Sequence, residues 1–228
     1  SGGGRRRRPA GESLGVPRPG RGLSGSLPVL GPHVDRSHRC LRHGPAAGVP
    51  LRSLGTGSSR LLIAGLSNEE FASTLRKIAL PFDGKAASAG IQIYHGAHGK
   101  YETAAPVRTF TTVEINGKEE ILAAYTCTPL VRIPVSELQD GAKVKGKTVA
   151  ELGNRNRPLD ILVYSKGGKP YALMANSARG VMKVALDNID SVDTISARVA
   201  DTAGLKYETL KQHAGVEHLA QLGDAHAV

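Results

Sequence analysis

Short runs of apolar and β-branched residues, separated by turn-forming residues, dominate the chain from residue 59 onward. Runs of this length bounded by Gly, Pro, Asn and Asp are typical of β-strands. Two of the turns are tight: Asn116-Gly117 favours a type I′ hairpin because both central residues need positive φ, and Gly167-Gly168 meets the same demand by lacking a Cβ. The pattern predicts nine strands: Arg60–Leu66, Thr74–Leu80, Ile91–Tyr94, Val107–Ile115, Glu120–Tyr125, Leu130–Val135, Leu159–Tyr164, Tyr171–Ala175 and Val181–Leu186.

Helix signals are few. Asn68–Lys77 offers an Asn cap and acidic residues in a first turn, but its end aligns with a strand, so we interpret Asn68–Phe71 as a loop insertion. Thr202–Gly215 is compatible with a short helix. Val216–Val228 reads as a strand, a Gly-Asp turn and a second strand, which is the pattern of a hairpin.

The strands form a repeat. Gly117–Ile133 and Gly168–Val184 align without a gap at a separation of 51 residues. Each begins with Gly-Lys, continues through an apolar run, breaks at a small polar cluster and ends as apolar-basic-apolar, which makes Arg132 and Lys183 equivalent. Half of an earlier unit precedes them and half of a later one follows. A period of about 50 residues with three or four antiparallel strands is the period of a propeller blade.

With these runs, exemplified by "LMANSARGVMKV" in the second unit, the chain resembles bacterial β-propeller proteins with long blades. The resemblance covers residues 59–228. The WD40 class of propellers is excluded, because the chain has no Trp and no Gly-His…Trp-Asp signature. The resemblance implies an all-β fold of antiparallel propeller blades, an exported protein in the periplasm or outside the cell, and a partial propeller of about three blades. Self-association is then one way to supply the missing blades, because a blade cannot cover its own apolar face.

The positive charge is concentrated in the first 60 residues. They hold eleven Arg, no Lys and two acidic residues, a net charge of +9, whereas residues 61–228 hold 19 basic and 18 acidic residues. Residues 1–58 lack aromatic side chains and are rich in Gly, Pro, Arg and Ser, which predicts a disordered basic tail. Two other interpretations stay open: Arg5–Arg8 as a nucleic-acid or nuclear-import patch, and a segment translated from upstream of the true start. The near-neutral remainder offers no electrostatic footprint for nucleic acid.

Hydropathy and cysteine content restrict the class of protein further. No apolar run reaches the roughly 18 residues that a membrane-spanning helix needs, and no secretory signal pattern is present. Cys40 and Cys127 are the two cysteines. On that count we exclude a disulfide framework and a Cys-based zinc site.

The segment richest in candidate chemistry is "IYHGAHGKYETAAPVRTF". His95 and His98 lie three residues apart beside glycines, and Glu102 and Arg108 follow. Two imidazoles on such a loop can converge on one divalent metal ion with a carboxylate as third ligand, so we predict a metal set of His95, His98 and Glu102. The same loop with Arg108 is the predicted ligand-binding surface. The alternative is a blade-end loop whose histidines bond backbone carbonyls.

The polar breaks inside the repeat are the other candidate positions. The resemblance places Asn176 and Arg179 near the tunnel of a propeller, which predicts a ligand-binding role. The alternative is that these side chains close the hydrogen bonds of a turn. Cys127 lies in the equivalent break "YTCTP". We interpret it as a small buried apolar residue, with a redox or ligand role as the alternative.

These observations support three hypotheses about function. The first is a propeller scaffold that binds a small or anionic ligand, or a partner protein, near His95, His98 and Arg108. The second is a metal- or quinone-assisted lyase, hydrolase or dehydrogenase with a His-based site. The third is nucleic-acid binding through the basic tail. The sequence identifies no reaction, since it contains no Walker loop, no dinucleotide fingerprint and no Ser-His-Asp order.

Overall fold

A computed structural model of the chain describes residues 59–222 and 226–228, and the predicted disordered tail at residues 1–58 lies outside this range. The described part contains no α-helix, only two single-turn 3-10 helices, Val135–Glu137 and Lys211–His213. It holds no helix of the length and hydropathy that a membrane span requires. Its sixteen strands are β1 Ser59–Leu66, β2 Ser73–Leu80, β3 Ala87–His95, β4 Lys100–Glu102, β5 Val107–Ile115, β6 Lys118–Tyr125, β7 Pro129–Pro134, β8 Lys143–Lys145, β9 Lys147–Leu152, β10 Pro158–Lys166, β11 Lys169–Asn176, β12 Gly180–Ala185, β13 Thr202–Gly204, β14 Tyr207–Leu210, β15 Gln221–Leu222 and β16 His226–Ala227.

The all-β prediction and the repeat are confirmed at the level of strands. Each of the nine predicted strands corresponds to an observed one, with ends that differ by four residues at most. Strands β5, β6 and β7 each begin and end 51 residues before β10, β11 and β12. We call β5–β7 the first unit and β10–β12 the second unit.

The strands form three sheets and one short hairpin, β15–β16. The first sheet has the order β1-β2-β3-β4, with β8 paired in parallel to β3. The middle sheet has the order β13-β9-β7-β6-β5, and the third has the order β10-β11-β12-β14. All pairings other than β3–β8 are antiparallel. The three sheets do not close into a ring.

The middle sheet is buried on both faces, because it shares one apolar cluster with the first sheet and another with the third. In β6, Ile121, Ala123 and Tyr125 belong to the cluster with the first sheet. Leu122 and Ala124 belong to the cluster with the third sheet. A strand covered on both faces needs apolar residues at consecutive positions, which explains the unbroken buried run Ile121–Tyr125.

The segment Thr202–Gly215 forms strands β13 and β14 and a 3-10 turn instead of the short α-helix that its sequence allows. The backbone groups that a helix would satisfy internally are paired with β9 and β12. Gly204 makes the approach possible: it has φ +75, and a Cβ there would lie 2.0 Å from the carbonyl oxygen of Val149. Tertiary pairing therefore overrides local preference.

Candidate functional site

The predicted histidine pair lies at the end of the β3–β4 hairpin. His95 is the last residue of β3, and it is paired with Lys100 of β4. The amides of His98 and Gly99 donate to the carbonyl of His95 at 3.1 and 2.8 Å and close the turn. Gly99 has φ +68, a conformation that glycine adopts without strain. The hairpin brings His98 back over His95.

The carboxylate of Glu102 joins the two imidazoles. Nδ1 of His95 lies 3.1 Å from one carboxylate oxygen, and Nδ1 of His98 lies 2.7 Å from the other. The two rings lie face to face, with centroids 3.7 Å apart and planes tilted by 35°. The register explains the contact, because Glu102 pairs with Ile93, which shares a strand face with His95.

The ionisation of Glu102 is coupled to the histidines. Burial alone would raise the pKa of this carboxyl, but hydrogen bonds from His98 and then His95, with their positive charges, lower it below its ordinary value. A carboxylate that accepts from Nδ1 of each ring directs both Nε2 atoms to the opposite side. The carboxylate therefore occupies the Nδ1 atoms of both rings and leaves their Nε2 atoms for other partners.

The Nε2 atom of His95 has no hydrogen-bond partner within the part of the chain that the structure describes, although the residue is only 3% exposed. A buried ring nitrogen without a partner costs free energy. This atom is thus a vacant donor or acceptor position inside the protein. It points to a ligand.

A third residue, Cys127, comes from a different sheet. It lies in the turn Thr126–Thr128 between β6 and β7 and is half-buried with a free thiol. One ligand atom each from His95, His98 and Cys127 lie within 4.8 Å of one another. Cys127 has φ +77, which is rare for a residue with a side chain. Backbone strain of this kind is concentrated at functional sites.

The neighbouring end of β9 holds the hairpin and the Cys127 turn together. Glu151 accepts a 2.7 Å hydrogen bond from the amide of Gly96, and a Cβ at Gly96 would lie 2.9 Å from the Glu151 side chain. The amide of Leu152 donates to the carbonyl of Thr128 at 2.8 Å. The second carboxylate oxygen of Glu151 is buried and has no partner among residues 59–222 and 226–228.

The other predicted ligand-binding residues lie elsewhere. Arg108 is exposed at a β-bulge of β5, and in the described structure no hydrogen bond or ion pair joins it to His95, His98 or Glu102. Asn176 is buried, and its side chain bonds to Asn156 Oδ1 at 2.6 Å and to the amide of Ala178 at 3.0 Å.

Arg179 connects the polar break of the second unit to the end of β9 and to the loop that follows it. Its guanidinium donates to the carbonyl of Leu152, to the hydroxyl of Tyr207 at 2.8 Å and to the carbonyl of Asn154 at 2.6 Å. The break of the second unit therefore supports the strand end that holds Thr128.

Sequence reasoning did not include Cys127 in the metal site, and it did not identify Glu151 as the support of the hairpin. Cys127 is 29 residues beyond His98, and only packing of the first and middle sheets brings them together. The cysteine count argued against Cys-based sites, but it did not weigh a mixed site with one Cys and two His. One signal was available: Cys127 occupies the polar break of a repeat unit, where the equivalent residue is Ala178.

Comparison with known proteins adds no relative to this picture. No family model, no curated protein and no solved structure matches the chain. The chemistry of the site therefore rests on its own geometry: two imidazoles aligned by one carboxylate, a thiol beside them, and a buried nitrogen with no partner.

Proposed function

We propose that the protein is a β-sheet binding scaffold whose ligand is a divalent transition-metal ion, held by the imidazoles of His95 and His98. The observation that carries the proposal is the buried, unpartnered Nε2 of His95 beside a second imidazole, among the residues that the structure describes. Neutral imidazole is the commonest metal ligand in proteins. A carboxylate on the other ring nitrogen fixes the tautomer and raises the basicity of the ligand.

Glu102 contributes to this site in one of two ways. It was predicted from the sequence as a ligand, and its carboxylate does contact both rings, at 3.1 and 2.7 Å. A carboxylate that contacts Nδ1 orients the imidazole and leaves Nε2 to bind the metal. In either role its negative charge favours a bound cation.

The test is the metal content and zinc affinity of the full chain. After equilibration with Zn²⁺ and removal of unbound ion, we expect one tightly bound zinc that the His95→Ala/His98→Ala variant lacks. The matched control is His213→Ala/His218→Ala, which removes two exposed histidines outside the cluster. Because all three proteins retain the histidines of residues 1–58, differences between them report the site alone.

Loss of the fold is excluded by a second variant. His98 has a side chain that is 49% exposed, so His98→Gln is expected to retain the thermal melt of the natural chain while its zinc affinity falls about tenfold or more. Equal zinc content in the natural chain, the double variant and the control would contradict the proposal.

We further propose that the three sheets are blades of a partial β-propeller. Support comes from the two units that recur at 51 residues and from the middle sheet, which is covered on both faces. Open arrays of blades leave end faces that associate. We expect sedimentation equilibrium to show self-association, and a concentration-independent monomer with a cooperative melt would oppose this proposal.

A further inference from the structure

We infer that Cys127 is the third metal ligand, as a thiolate, so that the site is selective for zinc-class or softer ions. This inference rests on the proposed metal binding by His95 and His98. It adds a ligand from the middle sheet to a hairpin of the first sheet, and it assigns Glu102 the role of an orienting carboxylate.

The distances suit one tetrahedral ion. Zinc bonds of about 2.0–2.1 Å to nitrogen and 2.3 Å to sulfur place tetrahedral nitrogens about 3.4 Å apart and nitrogen and sulfur about 3.6 Å apart. One ligand atom each of His95, His98 and Cys127 lies within 4.8 Å of the others, and the ring centroids are 3.7 Å apart. These separations are within about 1.5 Å of those that a tetrahedral zinc requires.

Two independent features indicate that the thiol faces a ligand. The first is the unpartnered Nε2 of His95, a buried residue that is only 3% exposed and has a ring nitrogen within 4.8 Å of the thiol. The second is the allocation of Glu102, whose two oxygens are taken up by the Nδ1 atoms. With the carboxylate held by the Nδ1 atoms, the sulfur is the remaining protein donor in the cluster.

The donor set determines the class of ion. Thiolate and imidazole select zinc, copper and related ions, whereas magnesium and calcium require sets of oxygen donors. Three protein ligands leave the fourth tetrahedral position to water or to a small ligand, as in open zinc sites. The exposed side of His98 provides access to that position.

The first experiment follows alkylation of the native thiol in a full-length Cys40→Ser chain, in which Cys127 is the sole cysteine. With Zn²⁺ at about ten times the dissociation constant, the unbound fraction is about a tenth, so iodoacetamide modification should slow about tenfold. Mg²⁺ at the same concentration should leave the rate unchanged, and His98→Gln should weaken the protection by zinc. An alkylation rate that zinc leaves unchanged overturns the assignment.

The second experiment replaces zinc with Co²⁺. A thiolate-to-cobalt charge-transfer band in the near ultraviolet is expected for Cys40→Ser and should be absent in Cys40→Ser/Cys127→Ser. If Co²⁺ binds at His95 and His98 but the band is missing, the thiolate ligation is wrong and the imidazole site stands. If neither His95→Ala/His98→Ala nor Cys127→Ser changes metal binding, both proposals fail.

Discussion

The first and second units, β5–β7 and β10–β12, have the same strand lengths and the same spacing, but their breaks differ in how well the polar groups are satisfied. In the second unit, the side chains of Asn176 and Arg179 form hydrogen bonds within their own neighbourhood, and the unpaired buried group among the described residues there is Nδ2 of Asn156. In the first unit, the break has Thr128 with a buried hydroxyl that lacks a partner among the described residues, and Cys127 with strained backbone. One break stabilises a turn, and the other places a free thiol beside two histidines.

This difference shows how a repeated unit acquires a site without a change in its strands. Strand pairing and the apolar clusters fix the residues of the strands. Residues 126–128 and 177–179 lie between strands, so their side chains can differ between the two units without loss of the sheets. Arg179 links the two breaks, since it holds Leu152, and Leu152 in turn holds Thr128. The second break is thus a support for the first.

The two units should differ most in the loss of folding stability caused by substitution of Arg132 and of its equivalent, Lys183. Arg132 forms a bidentate pair with Glu120 at 2.7 and 2.8 Å, and both side chains are about nine-tenths buried. Arg132→Ala leaves a buried charge unpaired and should lower the free energy of unfolding by about 3–5 kcal/mol in denaturant titrations.

The control for this prediction is the equivalent residue of the second unit. Lys183 contacts the exposed Glu208 at 3.0 Å, so Lys183→Ala should leave the denaturation midpoint almost unchanged. An Arg132→Met/Glu120→Leu variant should recover most of the loss, because both charges are then removed. Equal destabilisation by Arg132→Ala and Lys183→Ala would contradict the difference in burial.

The next largest difference in stability should come from the burial of equivalent leucines in the middle and third sheets. Leu122 is fully buried between the middle and third sheets, whereas Leu173 at the equivalent position is half-buried. Leu122→Ala should cost about 3 kcal/mol because it leaves a cavity, and Leu173→Ala about 1 kcal/mol from lost burial alone. Chemical denaturation measures both, and a reversed order would show that the middle sheet is not the covered one.

A smaller effect is expected at Asn176, which is equivalent to Tyr125. Asn176→Ala removes an amide that bonds within the turn and should cost about 1–3 kcal/mol. Tyr125→Phe is the matched control, because in the described structure the buried Tyr125 hydroxyl makes no hydrogen bond of standard geometry and contacts the hydroxyl of Ser73. Its melting temperature should stay within about 2 °C of that of the natural chain. A large loss for Tyr125→Phe would mean that the first break is as well satisfied as the second.

The smallest effect on stability should come from Cys127→Gly. Glycine adopts φ +77 without strain, so we expect the free energy of unfolding to rise by up to about 1 kcal/mol. Zinc affinity should fall in the same variant. Ala178→Gly, at the equivalent position without positive φ, should instead lower stability by about 0.5 kcal/mol. If Cys127→Gly is more stable but binds zinc more weakly, Cys127 contributes to zinc binding at a cost in stability.

Local patterns were sufficient to predict the strands and their turns. Asn116 and Gly117 have φ of 51 and 72, and Gly167 and Gly168 have φ of 59 and 75, as a type I′ turn requires. These features depend on neighbours in sequence. The His95–His98 pair was predicted for the same reason, because both residues belong to one hairpin.

Features that depend on distant segments could not be predicted. Strand β8 has three residues, two of them exposed lysines, and it forms only through parallel pairing to β3. Cys127 reaches the histidines because the first and middle sheets share a core. No periodicity in the sequence encodes this contact, since the β3–β4 hairpin lies outside both repeat units.

The most direct test of the account is an anomalous difference map at the zinc absorption edge, from crystals of the full chain grown with zinc. The account predicts a peak bonded to Nε2 of His95, Nε2 of His98 and Sγ of Cys127, with Glu102 on the Nδ1 side. It predicts no peak at Asn176 and Arg179. Zinc at the second unit's break, or none beside the two imidazoles, would contradict it.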